Sequence, residues 1–154
     1  MGGGVNDYFG KVPAGRLIKN DSLLFFKVDS KFRSKIGIPP SIVKPVIGSY
    51  DATRNVLTII KADFKGDKKY VNSMWEIQKE PFKGDVINAY NDGENQSGNQ
   101  LGNLYELETS SPAKELKKGE SVIHVNKIFH FMGSKHALNL IAHKLLGASV
   151  DDLK

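Results

Sequence analysis

Apolar residues along this chain recur mostly with period two, in short runs separated by clusters of Gly, Pro, Asn and Asp, which is the signature of antiparallel strands. Strands are expected at residues 22–28, 45–50, 56–64, 70–78, 85–90, 104–110 and 121–132. The segments between them carry turn chemistry: Asp51-Ala52-Thr53-Arg54-Asn55, Lys65-Gly66-Asp67, Pro81-Phe82-Lys83-Gly84 and Lys118-Gly119-Glu120. Residues 35–45 hold Pro39, Pro40 and Pro45 and are expected to form an extended loop. Residues 91–103, rich in Asn, Gly, Gln and Ser, read as a long surface loop. The period changes only near the C-terminus. Ser134 stands as an N-cap, Ala137, Leu138, Leu140, Ile141, Leu145 and Leu146 follow helical spacing, and Gly147 occupies the C′ position. A second short turn is expected from Ser149, with Asp152 three residues on. The pattern predicts one mainly β domain over residues 1–154, an antiparallel β-sandwich or open barrel closed by a single C-terminal α-helix.

A chain of 154 residues can bury roughly two-thirds of its unfolded surface, enough for one core. Composition then removes function classes. There are no cysteines, which excludes thiol catalysis, zinc ribbons and Fe–S clusters. The 22 Lys and Arg against 17 Asp and Glu leave a net charge of +5, but the charges are interleaved: Asp63 and Asp67 interrupt the run from Lys61 to Lys69, and Glu115 and Glu120 flank Lys117-Lys118. Only Arg16, Arg33 and Arg54 are arginines, so no basic stripe for nucleic acid is expected. No apolar run reaches the roughly 18 residues of a membrane span, and Met1-Gly2-Gly3-Gly4 begins no export signal, so neither a membrane partner nor a leader is expected in this stretch.

Common nucleotide and hydrolase motifs are absent. The segment Asn88-Ala89-Tyr90-Asn91-Asp92-Gly93 departs from a calcium loop at its first acidic positions, and Asn99 stands where the closing Glu belongs. His136 and His143 are two helical turns apart, and His124 and His130 lie about 20 Å apart along one strand, so no metal site and no cofactor is expected. The most informative segment is Leu104-Tyr105-Glu106-Leu107-Glu108-Thr109-Ser110. As a strand it places Glu106, Glu108 and Ser110 on one face and Tyr105, Leu107 and Thr109 on the other. Two carboxylates so placed can repel, raise one pKa and supply a general acid or base; the alternative is the solvated face of a half-buried strand. A second polar group, Asn72, Trp75, Gln78, Asp85, Asn88, Tyr90, Asn91 and Asp92, has the mixture a pyranose site uses, with rings for C–H faces and amides and carboxylates for hydroxyls. Trp75 as core and Asn91-Asp92-Gly93 as a turn remain equally open on this reading.

The stretches Tyr70-Val71-Asn72-Ser73-Met74-Trp75-Glu76, Gly84-Asp85-Val86-Ile87-Asn88-Ala89-Tyr90-Asn91-Asp92-Gly93 and Leu107-Glu108-Thr109-Ser110-Ser111-Pro112 resemble an uncharacterised family of bacterial proteins with a galactose-mutarotase-like supersandwich fold. Tyr8-Phe9-Gly10-Lys11-Val12-Pro13 and Phe32-Arg33-Ser34-Lys35-Ile36-Gly37 extend that resemblance over nearly the whole chain. Leu107-Glu108-Thr109, then Pro112 and Leu116-Lys117-Lys118-Gly119-Glu120 before a last strand, is also similar to the closing segment of aldose mutarotases. There a strand glutamate is the catalytic base, which the resemblance carries onto Glu108; Glu106 has no counterpart. The chain departs from that pattern in Lys118, where the mutarotase turn has proline, and in Ser110-Ser111. Mutarotases draw a histidine acid from an N-terminal half, and this chain resembles only the C-terminal half of its family, so it is expected to be a fragment with a partial supersandwich.

The resemblance implies a carbohydrate-binding or carbohydrate-processing domain, an aldose 1-epimerase-like isomerase if active. Glu108 is then the base, and Trp75, Asn88, Tyr90, Asn91, Asp92 and Glu106 are the sugar-binding residues. A periplasmic or secreted location rests on resemblance alone. The competing expectation is a noncatalytic structural or interaction domain, which exposed sheet edges would let self-associate.

Overall fold

The computed structural model describes residues 6–74 and 76–152. The chain is mainly β, with three antiparallel sheets and one helix. The first sheet runs in the order β1 (Asn6–Asp7), β4 (Ser34–Ile38), β7 (Ile87–Asn91) and β8 (Tyr105–Thr109). A hairpin of β2 (Leu17–Asn20) and β3 (Leu23–Phe26) makes the second. The third has β6 (Val56–Ala62) between β5 (Val46–Asp51) and β9 (Asn126–Met132).

Alternation along each strand decides how these layers meet. On β6, Leu57 and Ile59 are fully buried and face α1 (Lys135–Leu146), where they pack with Leu138, Ala142 and Val150. Val46 and Tyr50 of β5 join that cluster. Gly48 lies between them, and a Cβ there would come within 2.6 Å of Leu146, so the missing side chain lets the helix approach the strand. The opposite face of the third sheet meets the first through Ile47, which packs against the cluster of Val12, Ile36 and Ala89 on one side and that of Tyr70, Val86 and Ile87 on the other. Leu17, Leu24 and Phe26 place the β2–β3 hairpin over the same core.

Local chemistry sets the helix ends where the pattern predicts them. The Ser134 hydroxyl accepts from the Ala137 N–H at 3.3 Å, and Gly147, left-handed at φ 71°, donates its N–H to the His143 carbonyl. The short turn after it, a 3-10 helix over Val150–Asp152, is held by the Ser149 N–H on Asp152 Oδ2 at 2.8 Å and by Asn139 Oδ1, which accepts from Ser149 and Val150.

Three expectations are corrected. Residues 35–45 are not one extended loop, because the chain pairs as β4 through Ile38 before Pro39 ends the strand. No strand forms among the described residues of 70–78. There Asn72 Oδ1 accepts the Met74 N–H, diverting it from any ladder, and only an isolated parallel bridge joins Tyr70 to Lys83. The last strand begins at Asn126 and not at residue 121. In addition, β1 pairs with β4 and β2 with β3, although neither β1 nor β2 shows a run of alternation long enough to read.

Candidate functional site

The first sheet has one apolar and one polar face, and its register determines the rows of side chains on each. Gly37, Asn88 and Glu108 lie side by side across β4, β7 and β8; the next row on the same face is Lys35, Tyr90 and Glu106. Tyr8 extends that second row, since its N–H donates to the Lys35 carbonyl at 2.9 Å. The alternate positions Ile36, Ala89 and Leu107 point into the core. Glu106 and Glu108 therefore share the face away from the core, as the segment's alternation predicts.

Lys35 does not stay in its own row. Its Nζ lies 2.9 Å from Glu108 Oε1 and 3.0 Å from Oε2, one row along, with the lysine side chain only 12% exposed. The same row has no side chain at Gly37. A Cβ there would stand 1.9 Å from Asp85 Oδ2 and 2.9 Å from Asn88 Oδ1, so these two polar groups fill the place a side chain would take. The Tyr8 hydroxyl donates to Asp85, and burial together with that carboxylate pushes the phenol well above its usual range. Asn88 is 1% exposed, and its Oδ1 has no hydrogen-bond partner among the described residues. Buried acceptors of this kind are uncommon and call for a donor.

At the other end of the face the Tyr90 hydroxyl donates to Asp92 Oδ1 at 2.5 Å, and the Gly102 N–H donates to Asp92 Oδ2 at 2.8 Å. Burial pushes the Asp92 carboxyl up, but the bonds from Tyr90 and from the N–H groups of Gly102, Gly93 and Leu101 outweigh it and hold the group below its ordinary value. This clasp ties the start of the 92–104 loop to its end. Glu106 behaves oppositely. Partial desolvation of this largely exposed side chain and then the neighbouring Glu108 raise its pKa, Asp92 adds to the rise, and Lys35 opposes it. Phe9, half exposed, forms an aromatic rim: its ring meets Tyr90 edge-on at 6.0 Å, and the Arg33 guanidinium lies 4.7 Å from its centre.

Asn88, Tyr90, Glu106 and Glu108 are thus brought together, with Asp92 attached through Tyr90. Asn91 is not part of this group. It is fully buried on the opposite face, where Oδ1 accepts from the Ser30 N–H and Nδ2 donates to the Phe32 carbonyl. Trp75 lies outside the described residues. His124 bonds Thr109 and His130 bonds Thr58, both away from the carboxylates. Tyr8, Phe9, Arg33 and Lys35 belong to the face; their stretches carry part of the resemblance, but their role here is identified only by their place in the sheet. An open hollow of about 390 Å³ beside the 92–104 loop is lined by Ser30, Lys31, Phe32, Glu94 and Gln100 and does not include Glu106 or Glu108. Among the described residues no group of three His, Asp or Glu is placed to hold a metal ion, and no helix is long and apolar enough to cross a membrane.

No curated protein and no solved structure matches this chain. Residues 4–154 match the model of DUF6786, a family of unknown function, and the chain belongs to that family.

Proposed function

We propose that the polar face of the first sheet binds a carbohydrate, and that the chain is a mutarotase-like supersandwich module in which Glu108 is the general base. The observation that supports this is the shared face. Four residues singled out from sequence for sugar chemistry, Asn88, Tyr90, Glu106 and Glu108, line two adjacent rows beside the half-exposed Phe9 ring. An aromatic ring offers a surface for sugar C–H groups, and the carboxylates and amide offer acceptors for hydroxyls. In this reading Glu108 takes the proton of the anomeric hydroxyl, and Lys35 holds its carboxylate in place. The test is a titration with D-glucose and D-galactose followed by anomer-resolved exchange NMR. Binding with accelerated exchange is expected, with exchange reduced about 100-fold or more in Glu108→Gln while binding persists. Absence of both binding and exchange in the wild type would sink the proposal.

A second reading, a noncatalytic interaction domain, is favoured by β9. It is an edge strand whose Ile128 and Met132 are 54% and 77% exposed, an arrangement open to pairing with another strand.

A further inference from the structure

A sugar ring opens only if a proton is delivered to the ring oxygen as another is removed from the anomeric hydroxyl, so Glu108 needs an acid. The structure places a second carboxyl two residues away on the same face of β8. It also places the Lys35 ammonium there, and that ammonium is committed. Lys35, which stands in the row of Glu106, reaches one row along and spans both oxygens of Glu108. Glu106 is left facing Tyr90 in register, with the Asp92 carboxylate beyond it. Glu108 on its own strand and Asp92 at the end of β7 disfavour a negative charge on Glu106; Lys35 on β4 is the counterweight and is held by Glu108, and the Arg33 guanidinium on the same face lies over Phe9. An independent observation on this face is Asn88, buried beside Glu108, whose Oδ1 lacks a donor among the described residues and so is an acceptor still to be satisfied.

We infer that Glu106 is the acid partner of Glu108, so that this face carries both proton-transfer groups of an aldose ring-opening reaction within β8. This rests on the carbohydrate reading of the face. Glu106 gives its proton to the ring oxygen as the C1–O5 bond breaks. Glu108 takes the O1 proton, and the O1–H electron pair becomes the second bond of the C1 aldehyde. Lys35, held on Glu108, faces a neutral Glu108 at that moment, and its charge then stabilises the newly ionised Glu106 nearby. After rotation about C1–C2, the O5 hydroxyl adds to the other face of C1, returning its proton to Glu106 while Glu108 returns a proton to O1. Nothing is oxidised, and both carboxyls end as they began. The rise in the pKa of Glu106 is in the direction a proton donor needs, and after burial a like-charged neighbour is one of its causes.

The test uses the full chain with Glu106→Gln, at an exposed site where the amide keeps the shape but cannot release a proton. The readouts are binding of D-glucose and D-galactose by chemical-shift titration and anomer exchange as a function of pH. In the wild type, exchange should fall at high pH as Glu106 loses its proton. In Glu106→Gln, exchange should drop about 100-fold or more, the high-pH fall should disappear, and binding should remain. If Glu106→Gln binds sugar and exchanges anomers as fast as the wild type, Glu106 is not the acid although the carbohydrate site stands. If the wild type binds neither sugar, the site itself and this assignment fall together.

Discussion

Strands β7 and β9 invert the usual relation between composition and burial. β7 reads Ile-Asn-Ala-Tyr-Asn and is buried throughout; β9 reads Asn-Lys-Ile-Phe-His-Phe-Met and is exposed at every position except Phe131. Position in the sheet explains this. β7 is central, with β4 and β8 on either side, so its polar side chains are covered by neighbours and most find partners there: Asn91 in the Ser30–Phe32 segment and Tyr90 in Asp92. β9 has β6 on one side only, and α1 covers Leu57 and Ile59 more than it covers Phe129. Burial here is conferred by topology, and polarity in a buried strand is tolerated where each group has a bond to make.

This contrast predicts unequal responses to substitution. The largest is at Asn91→Ala, which strips partners from the Ser30 N–H and the Phe32 carbonyl. It should cost about 3 kcal/mol and lower Tm by roughly 6–12 °C in a calorimetric scan. A loss below about 0.5 kcal/mol would mean these bonds do not anchor β7. Next comes pH, through the polar face beside β7. The folded-state pKa of Glu106 lies above its ordinary 4.5, so its contribution to stability is fully present below 4.5 and is lost as pH rises through the higher folded value. Asp92 has the opposite sign: its contribution is present above 3.8 and is lost as pH falls through its lower folded value. Denaturant midpoints measured across this range should decline on the alkaline side in the wild type and lose that decline in Glu106→Gln; an unchanged decline would remove Glu106 as its source. The smallest effect on stability is on β9, where Ile128→Lys with Met132→Lys should stay within about 0.5 kcal/mol per site. If the edge pairs with another copy, sedimentation should show the wild type associating and the double variant monomeric. A large loss of stability there would show that β9 is buried in solution after all.

The same contrast explains what could be read from the sequence. The helix was legible to the residue because Ser134 and Gly147 act on backbone groups within a turn of themselves. The common face of Glu106 and Glu108 was legible because strand alternation is local. Lys35 was not: it reaches Glu108 only because β4 and β8 flank β7, a relation spanning 73 residues, and Pro39 and Pro40 drew attention from the strand that carries it. The structural role of Asn91 was hidden for a similar reason, since neighbouring Asn88 and Asn91 look alike in sequence while three residues of strand turn them to opposite faces.

The sheet order also has consequences in time. The β5–β6 hairpin closes through the short Asp51–Val56 connection, but β9 is synthesised about sixty residues after β6, and the helix that seals Leu57 and Ile59 comes later still. At about 5–20 residues per second, a ribosome leaves roughly 3–12 seconds in which β6 offers one unpaired edge and two uncovered aliphatic side chains. Nascent chains of this protein should therefore be most vulnerable to aggregation in that interval, and a chaperone that holds a short aliphatic strand would serve it best then.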